Sequence, residues 1–407
     1  MRESSGNTER LGAPYAWFLV SGMSWYGTWG MQHVLFSWLV VGVLNADPAR
    51  VGTAQMLMTL PALFLMPLAG SLADRFGRRR SLVGVHLAGC LAAAFMAWLV
   101  GSGELSLFLL FCSAPVWGAA HSFQYPAREA ILFEVGNAEL SRAAAGTTLA
   151  QFLFQAGGNA LAGLASQFGA TPLLVGQSLL AASGLLALPK LPRSELHQPA
   201  GNELAGPANL LEGLRVVLRS PLLRTLAILT TGNGLLFLGP YFVAGPVIVR
   251  DVYGGGAGEI ALFFMMFPLG TAASASILFA LGDVQRRVAL LLAGLSLASL
   301  CLLGIGTRPP FGVMLGLVFV WGCAGGLFIT MNRTLFLQAA PSSHRARVLS
   351  VQGMALLGSA PFSNLATGWI AEAVGAPTAM MLAGTAMLLL VGLSAIHIRK
   401  AGLGEPA

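Results

Sequence analysis

Gly70-Ser71-Leu72-Ala73-Asp74-Arg75-Phe76-Gly77-Arg78-Arg79-Arg80 sets one carboxylate and four arginines in eleven residues between two long apolar runs. A charge at the centre of a bilayer costs about 2.5–3.5 kcal/mol, so charges mark where a membrane-spanning chain leaves the lipid. All 16 carboxylates of the chain lie in or beside such gaps. The chain has 407 residues, of which 56% are hydrophobic and 10% charged. Soluble domains run near 25% charged, which excludes an ordinary soluble protein.

Spanning a bilayer takes about 20 apolar residues. The apolar segments are 13–43, 52–74, 81–101, 105–126, 143–166 and 171–189, then 222–249, 258–282, 288–306, 310–332, 348–372 and 376–398. They predict an all-α polytopic membrane protein of twelve transmembrane helices, because a lone segment in lipid must satisfy its own backbone. The polar stretch 190–221 divides them into a six-helix half at 13–189 and another at 222–398, with tails 1–12 and 399–407. If both tails are cytoplasmic, only Arg50, Arg250 and Arg308 of the 23 basic residues face outward, as the positive-inside rule requires. The polar N-terminus, without a small-residue cleavage site, reads as a tail and not as a removable signal. The net charge of +7 is spread over many short turns, which argues for lipid headgroups and against nucleic acid as its partner.

Four separated cysteines (Cys90, Cys112, Cys301 and Cys323) lie inside apolar segments, with no metal or disulfide spacing. No phosphate cradle, nucleophile–base pair or metal cluster stands out, so neither an enzyme nor a cofactor is expected. The halves look related. Tyr125-Pro126-Ala127-Arg128-Glu129 in the first and Ile329-Thr330-Met331-Asn332-Arg333 in the second both end a fourth span, 204 residues apart. Parallel repeats around a central cavity are a transporter construction.

The stretch from Gly70 to Arg80 resembles the signature G-x-L-A-D-R-x-G-R-K of the major facilitator superfamily, and the likeness runs over the whole chain. The segments around Pro126-Ala127, Arg219-Ser220-Pro221-Leu222-Leu223-Arg224 and Asn332-Arg333-Thr334 are similar to the drug and siderophore exporter branch, which holds macrolide efflux proteins and the enterobactin exporter. The resemblance implies a bacterial inner-membrane transporter, acting as a monomer on a small amphiphilic substrate, with protons as a candidate co-substrate. It also implies a conformational latch at the inner face, made by Gly70, Asp74, Arg75, Gly77 and Arg78. In that latch Asp74 meets the start of the eleventh span near Arg347, and Arg78 pairs with Glu129 or Glu134. Gly70 and Gly77 are there for close approach and a tight turn.

Trp25, Trp29, Gln32, His33 and Phe36 recur at spacings of three and four in the first span, a polar–aromatic stripe that suits a cavity wall as well as a helix contact. His33 is the titratable side chain placed near mid-bilayer, open to a proton-carrying role or a structural one. Gln155, Asn233 and Gln352 are further candidate substrate contacts, and His121 and Gln124 lie nearer the inner end of the fourth span. Two features depart from the superfamily's proton-coupled exporters. The stretch 113–120 carries no arginine, and the antiporter pattern G-P-x-x-G-G survives only as Gly158-Asn159-Ala160-Leu161-Ala162-Gly163. Three functions therefore remain open: a proton-driven exporter of amphiphiles, a narrow metabolite, siderophore or lipid facilitator without coupling, and a non-transporting receptor or scaffold.

Overall fold

A computed structural model describes residues 12–136, 139–192, 207–282, 284–341 and 344–402. The described chain is helical, and no strand occurs in it. The N-terminal helices are α1 (Ala13–Trp38), α2 (Pro48–Phe76), α3 (Arg78–Gly101), α4 (Leu107–Gly136), α5 (Leu140–Gly163), the single turn α6 (Ala165–Phe168) and α7 (Ala170–Ala187). The linker holds α8 (Pro207–Arg219). The C-terminal helices are α9 (Pro221–Gly239), α10 (Gly245–Tyr253), α11 (Ala257–Leu281), α12 (Arg287–Gly306), α13 (Phe311–Ala339), α14 (Arg345–Leu357), α15 (Ala360–Val374) and α16 (Ala376–Lys400). They follow the apolar segments in order. Among the described residues, eight helical stretches are long and apolar enough to cross a membrane by length and composition alone. Long α1, α4 and α5 are not among them, because they carry imidazoles, amides, serines and glycines, and these three pack on one another inside the bundle.

Helix ends follow local chemistry. Asp47 caps α2 by accepting from the Arg50 N–H at 2.8 Å, and Pro48 starts the helix where no donor is needed. Gly77 breaks α2 from α3 at φ 90°, a conformation that side chains resist, which is the turn expected of it. α4 runs ten residues past the apolar segment that ends at 126. Pro126 removes one hydrogen bond without ending the helix, since Ala127, Ile131, Leu132 and Val135 bury against Tyr15, Phe18, Leu82 and Ala143. Within the polar linker, α8 docks on α14 through Glu212, which pairs with Arg347 at 2.8 Å and His344 at 3.1 Å.

The packing pairs recur along the chain. α2 meets α4 as α11 meets α13, and α3 meets α7 as α12 meets α16. Gly118 of α4 lies so close to α2 that a Cβ would sit 2.0 Å from the Met58 carbonyl oxygen. Gly322 of α13 repeats this against Phe267 of α11 at 2.2 Å. Backbone approach of this kind needs glycine and is a common device of helix packing in lipid.

N-terminal and C-terminal helices join through α2 with α15 and α5 with α11. Most of the described bonds between them lie toward the end of the bundle opposite the Arg75–Arg80 turn, the distal end. Arg250 donates to the carbonyls of Val41 (3.1 Å) and Ala46 (2.7 Å), and Asn364 donates to the Gln55 carbonyl (3.2 Å) and Thr59 Oγ1 (3.2 Å). Asn159 donates to the Phe264 carbonyl at 2.8 Å. At the basic end a single described ion pair joins the two sets, Arg333 with Glu129 at 3.5 Å.

Candidate functional site: a column of rings between the helix sets

Trp25, Trp29 and His33 recur every four residues on α1, so they stand on one face. Trp25 and Trp29 stack with centroids 6.2 Å apart at 15°, and the edge of His33 meets Trp29 at 4.9 Å. From α4, His121 lies flat on Trp29 at 4.2 Å and 10°, and Trp117 meets it at 6.4 Å. His33 then crosses to the C-terminal helices, stacking on Phe242 at 4.9 Å and approaching Phe264 at 6.0 Å. Tyr241 continues the column to Phe263, Phe267 and Trp321. Phe242 reaches His33 from a π-helical turn, Pro240–Ala244, between α9 and α10, which also carries Tyr241; such turns often mark functional sites.

Other predicted contacts go elsewhere. Gln32 points away from the ring face: its Oε1 accepts from Gln177 Nε2 of α7 at 3.0 Å, a helix–helix contact. One residue before His33, it is turned about 100° from it. Gln155, Asn233 and Gln352 are half-buried, and none joins the column or makes a side-chain hydrogen bond among the described residues. Gln124 is buried and donates to the Tyr26 hydroxyl at 3.2 Å.

In the sequence Arg128 stands just past the apolar segment that ends at 126. It lies inside α4, 4% exposed, donating to the Phe18 carbonyl at 2.9 Å and Ser21 Oγ at 3.4 Å, with its guanidinium 4.6 Å over the Phe18 ring. No carboxylate pairs with it among the described residues. The apolar spacing of Ile131, Leu132 and Val135 after Pro126 was the available sign that the helix continues. His86 of α3 was also missed. Its Nδ1 donates to the Ala181 carbonyl at 2.9 Å, so Nε2 is the acceptor facing Ser21 Oγ at 3.3 Å.

Of the expected latch, Arg78 pairs with Glu134 at 2.5 Å, tying the start of α3 to the end of α4. Glu129 instead reaches Arg333 of α13. Arg75 is exposed, and Gly70 and Asp74 belong to α2, although the Asp74 side chain lies outside the described residues. α14 does pack against α2, where a Cβ at Gly353 would stand 3.7 Å from Met66 Cε. A family model described as transmembrane secretion effector, within the major facilitator superfamily, matches residues 15–402. The chain belongs to that family.

Among secretion-effector relatives, the multidrug efflux pump Tap of Mycolicibacterium fortuitum is 26% identical over 381 residues, covering 91% of this chain and 92% of its own. Macrolide efflux protein A of Streptococcus pyogenes is 20% identical over 345 residues, covering 83% and 84%. In fold, the chain is similar to the nucleoside transporter NupG (TM-score 0.73, 15% identity, 95% and 99% covered). It is also similar to the human organic anion transporter MFSD10 (TM-score 0.63, 18% identity, 94% and 98% covered). The ring column of this chain is separate from a groove of about 770 Å³ on the flank of α1, α5 and α7. That groove is lined mainly by apolar residues such as Val20, Met23, Leu153, Phe154 and Leu161, together with Ser24 and Ser183. Carbon lines the groove, whereas imidazole and indole line the column. The column is where the protein can offer directed hydrogen bonds.

Proposed function

We propose that this chain exports amphiphilic organic compounds across the bacterial inner membrane by alternating access between two six-helix halves, 13–189 and 222–398, driven by proton entry. The observation that carries this reading is the His33 contact: a polar ring of α1 stacks on Phe242 and approaches Phe264 of the opposite helix set, so a ligand on the column touches both halves. The distal bonds and the Glu129–Arg333 pair supply contacts that must break in turn at the two ends. Relatives named as multidrug and macrolide efflux proteins support export. In this topology both termini are cytoplasmic and one chain holds one complete cavity.

Each proton entering down a membrane potential contributes about 2.3 kcal/mol per 100 mV. His33 is the proposed carrier. A second reading, an uncoupled facilitator of a narrow substrate, is favoured by the placement of the sequence's carboxylates in or beside the gaps between apolar segments. The test is extrusion of a fluorescent lipophilic dye into everted vesicles under an imposed pH gradient. Movement that stops when the gradient is collapsed, and that loses its gradient dependence in His33→Gln, supports proton-driven export. Movement indifferent to the gradient refutes coupling and supports the facilitator.

A further inference from the structure

Trp29 touches four rings, and each of the four carries a buried nitrogen without a hydrogen-bond partner among the described residues: Trp25 Nε1, Trp117 Nε1, His33 Nδ1 and His121 Nδ1. Trp25, Trp117 and His33 are 0%, 1% and 3% exposed, so water does not serve these atoms from the surface. Buried polar groups are paired in the great majority of cases, and four orphans around one side chain are a concentration that packing alone does not call for. Their direction is informative. Both indoles turn their benzo edges to α3, where a Cβ on Gly89 would stand 3.3 Å from Trp25 Cζ3 and 3.6 Å from Trp117 Cζ3. Cζ3 is at the far end of the ring system from Nε1, so the N–H edges face away from α3.

The chemistry of the four atoms selects a ligand. Indole N–H only donates, and a neutral imidazole nitrogen donates or accepts. At least two of the four therefore demand an acceptor oxygen or nitrogen, and flat walls favour a flat ring. Charge selects further. The ionisable side chains in the column or touching it are His33, His86, His121 and Tyr241, with Arg128 beyond Ser21, and none of them carries negative charge at neutral pH; the carboxylates of the same helices, Glu129 and Glu134 of α4 and Glu259 of α11, lie toward the helix ends. A desolvated cation here would have no counter-charge.

We propose that the ring cluster around Trp29 is the ligand subsite, and that it takes planar aromatic compounds bearing oxygen acceptors, neutral or anionic (phenolates, quinones, lactones, aromatic carboxylates), in preference to lipophilic cations. This rests on the exporter reading above, but binding tests it without transport. The protein in lipid nanodiscs is titrated against resorufin (a planar phenolate), coumarin (a neutral lactone) and ethidium (a planar cation), with binding read by fluorescence anisotropy. Resorufin and coumarin bind more than tenfold tighter than ethidium. Trp25→Phe and Trp117→Phe keep a ring and lose one N–H each, and each weakens resorufin by about threefold to tenfold, the value of one hydrogen bond. Equal or tighter binding of ethidium overturns the proposal. So do Phe variants that gain thermal stability and bind resorufin unchanged, since the orphan nitrogens are then a packing cost alone. Binding without export keeps the subsite and removes the exporter reading; export of other dyes with no resorufin or coumarin binding does the reverse.

Discussion

Glu129 and Arg333 occupy corresponding places in α4 and α13, 204 residues apart, and they meet each other across the two helix sets at 3.5 Å. In water two unit charges at that distance attract by about 1.2 kcal/mol. The side chains are 33% and 49% exposed, so ordering and screening reduce the net contribution to about 0.2–1 kcal/mol. Glu129→Gln or Arg333→Gln should therefore shift the ratio of basic-end-closed to basic-end-open molecules by about 1.4-fold to 5-fold toward open. The ratio is measured from spin-label distance distributions between the basic-end turns of α4 and α13 in nanodiscs. Charge reversal at either site replaces attraction with repulsion and shifts the ratio further, while the exchange of both (E129R with R333E) restores attraction and returns most of the closed population. Raising salt from about 0.1 M to 1 M shortens the screening length from about 10 Å to 3 Å and should shrink the effect. If the double exchange equals the sum of the two single reversals, or salt leaves the shift untouched, the pair does not hold this end shut.

Two further outcomes are expected. Gly158→Ala sets a Cβ 2.1 Å from the Gly27 carbonyl oxygen of α1, forcing α5 away at a cost of about 1–3 kcal/mol. Its neighbour Gly157→Ala meets nothing within 4 Å and leaves stability unchanged, so a lowered thermal midpoint in detergent belongs to the first variant only. Asp74→Asn should cut dye export while leaving membrane insertion intact; unchanged export in everted vesicles would remove Asp74 from the latch.

The helical membrane fold was legible because lipid forces charge into the turns, so the eleven residues from Gly70 to Arg80 report their position whatever surrounds them. The Trp25–Trp29–His33 stripe was legible for a similar reason, since a spacing of four fixes one helix face. Its partners were not. Phe242 and Phe264 reach His33 from more than two hundred residues away, and a π turn that no composition rule announces aims Phe242 at it. For Gln32 the sequence left a cavity wall and a helix contact both open, because a stripe of spacing three and four is wide enough to span two contacts, and only the position of Gln177 on α7 decides between them. Arg128 was hidden by its own charge. An arginine two residues past the apolar segment reads as the end of the span, yet α4 continues because its next apolar residues find a core at the basic end. The helix α8 inside the linker was hidden likewise, since its glutamate and arginines read as a solvated stretch until α14 supplied the surface they dock on.

The differences between corresponding positions explain how a repeated fold acquires direction. Arg128 of α4 bonds Ser21 of α1, and at the corresponding place Asn332 of α13 exchanges hydrogen bonds with Thr230 of α9 at 3.1–3.3 Å. The contact survives in both sets while the charge is kept in one. Glu129 and Arg333 show the complementary case. Equivalent residues of a repeated unit face one another across the axis that relates the repeats, so an unchanged acidic residue would set like charges together and push the basic end open. Opposite signs at those two places convert the repulsion into an attraction without adding a residue. A closure of the basic end weak enough to break therefore needs only one divergence between the two helix sets, and the modest strength of an exposed pair suits the contact that the proposed alternating access opens in each cycle.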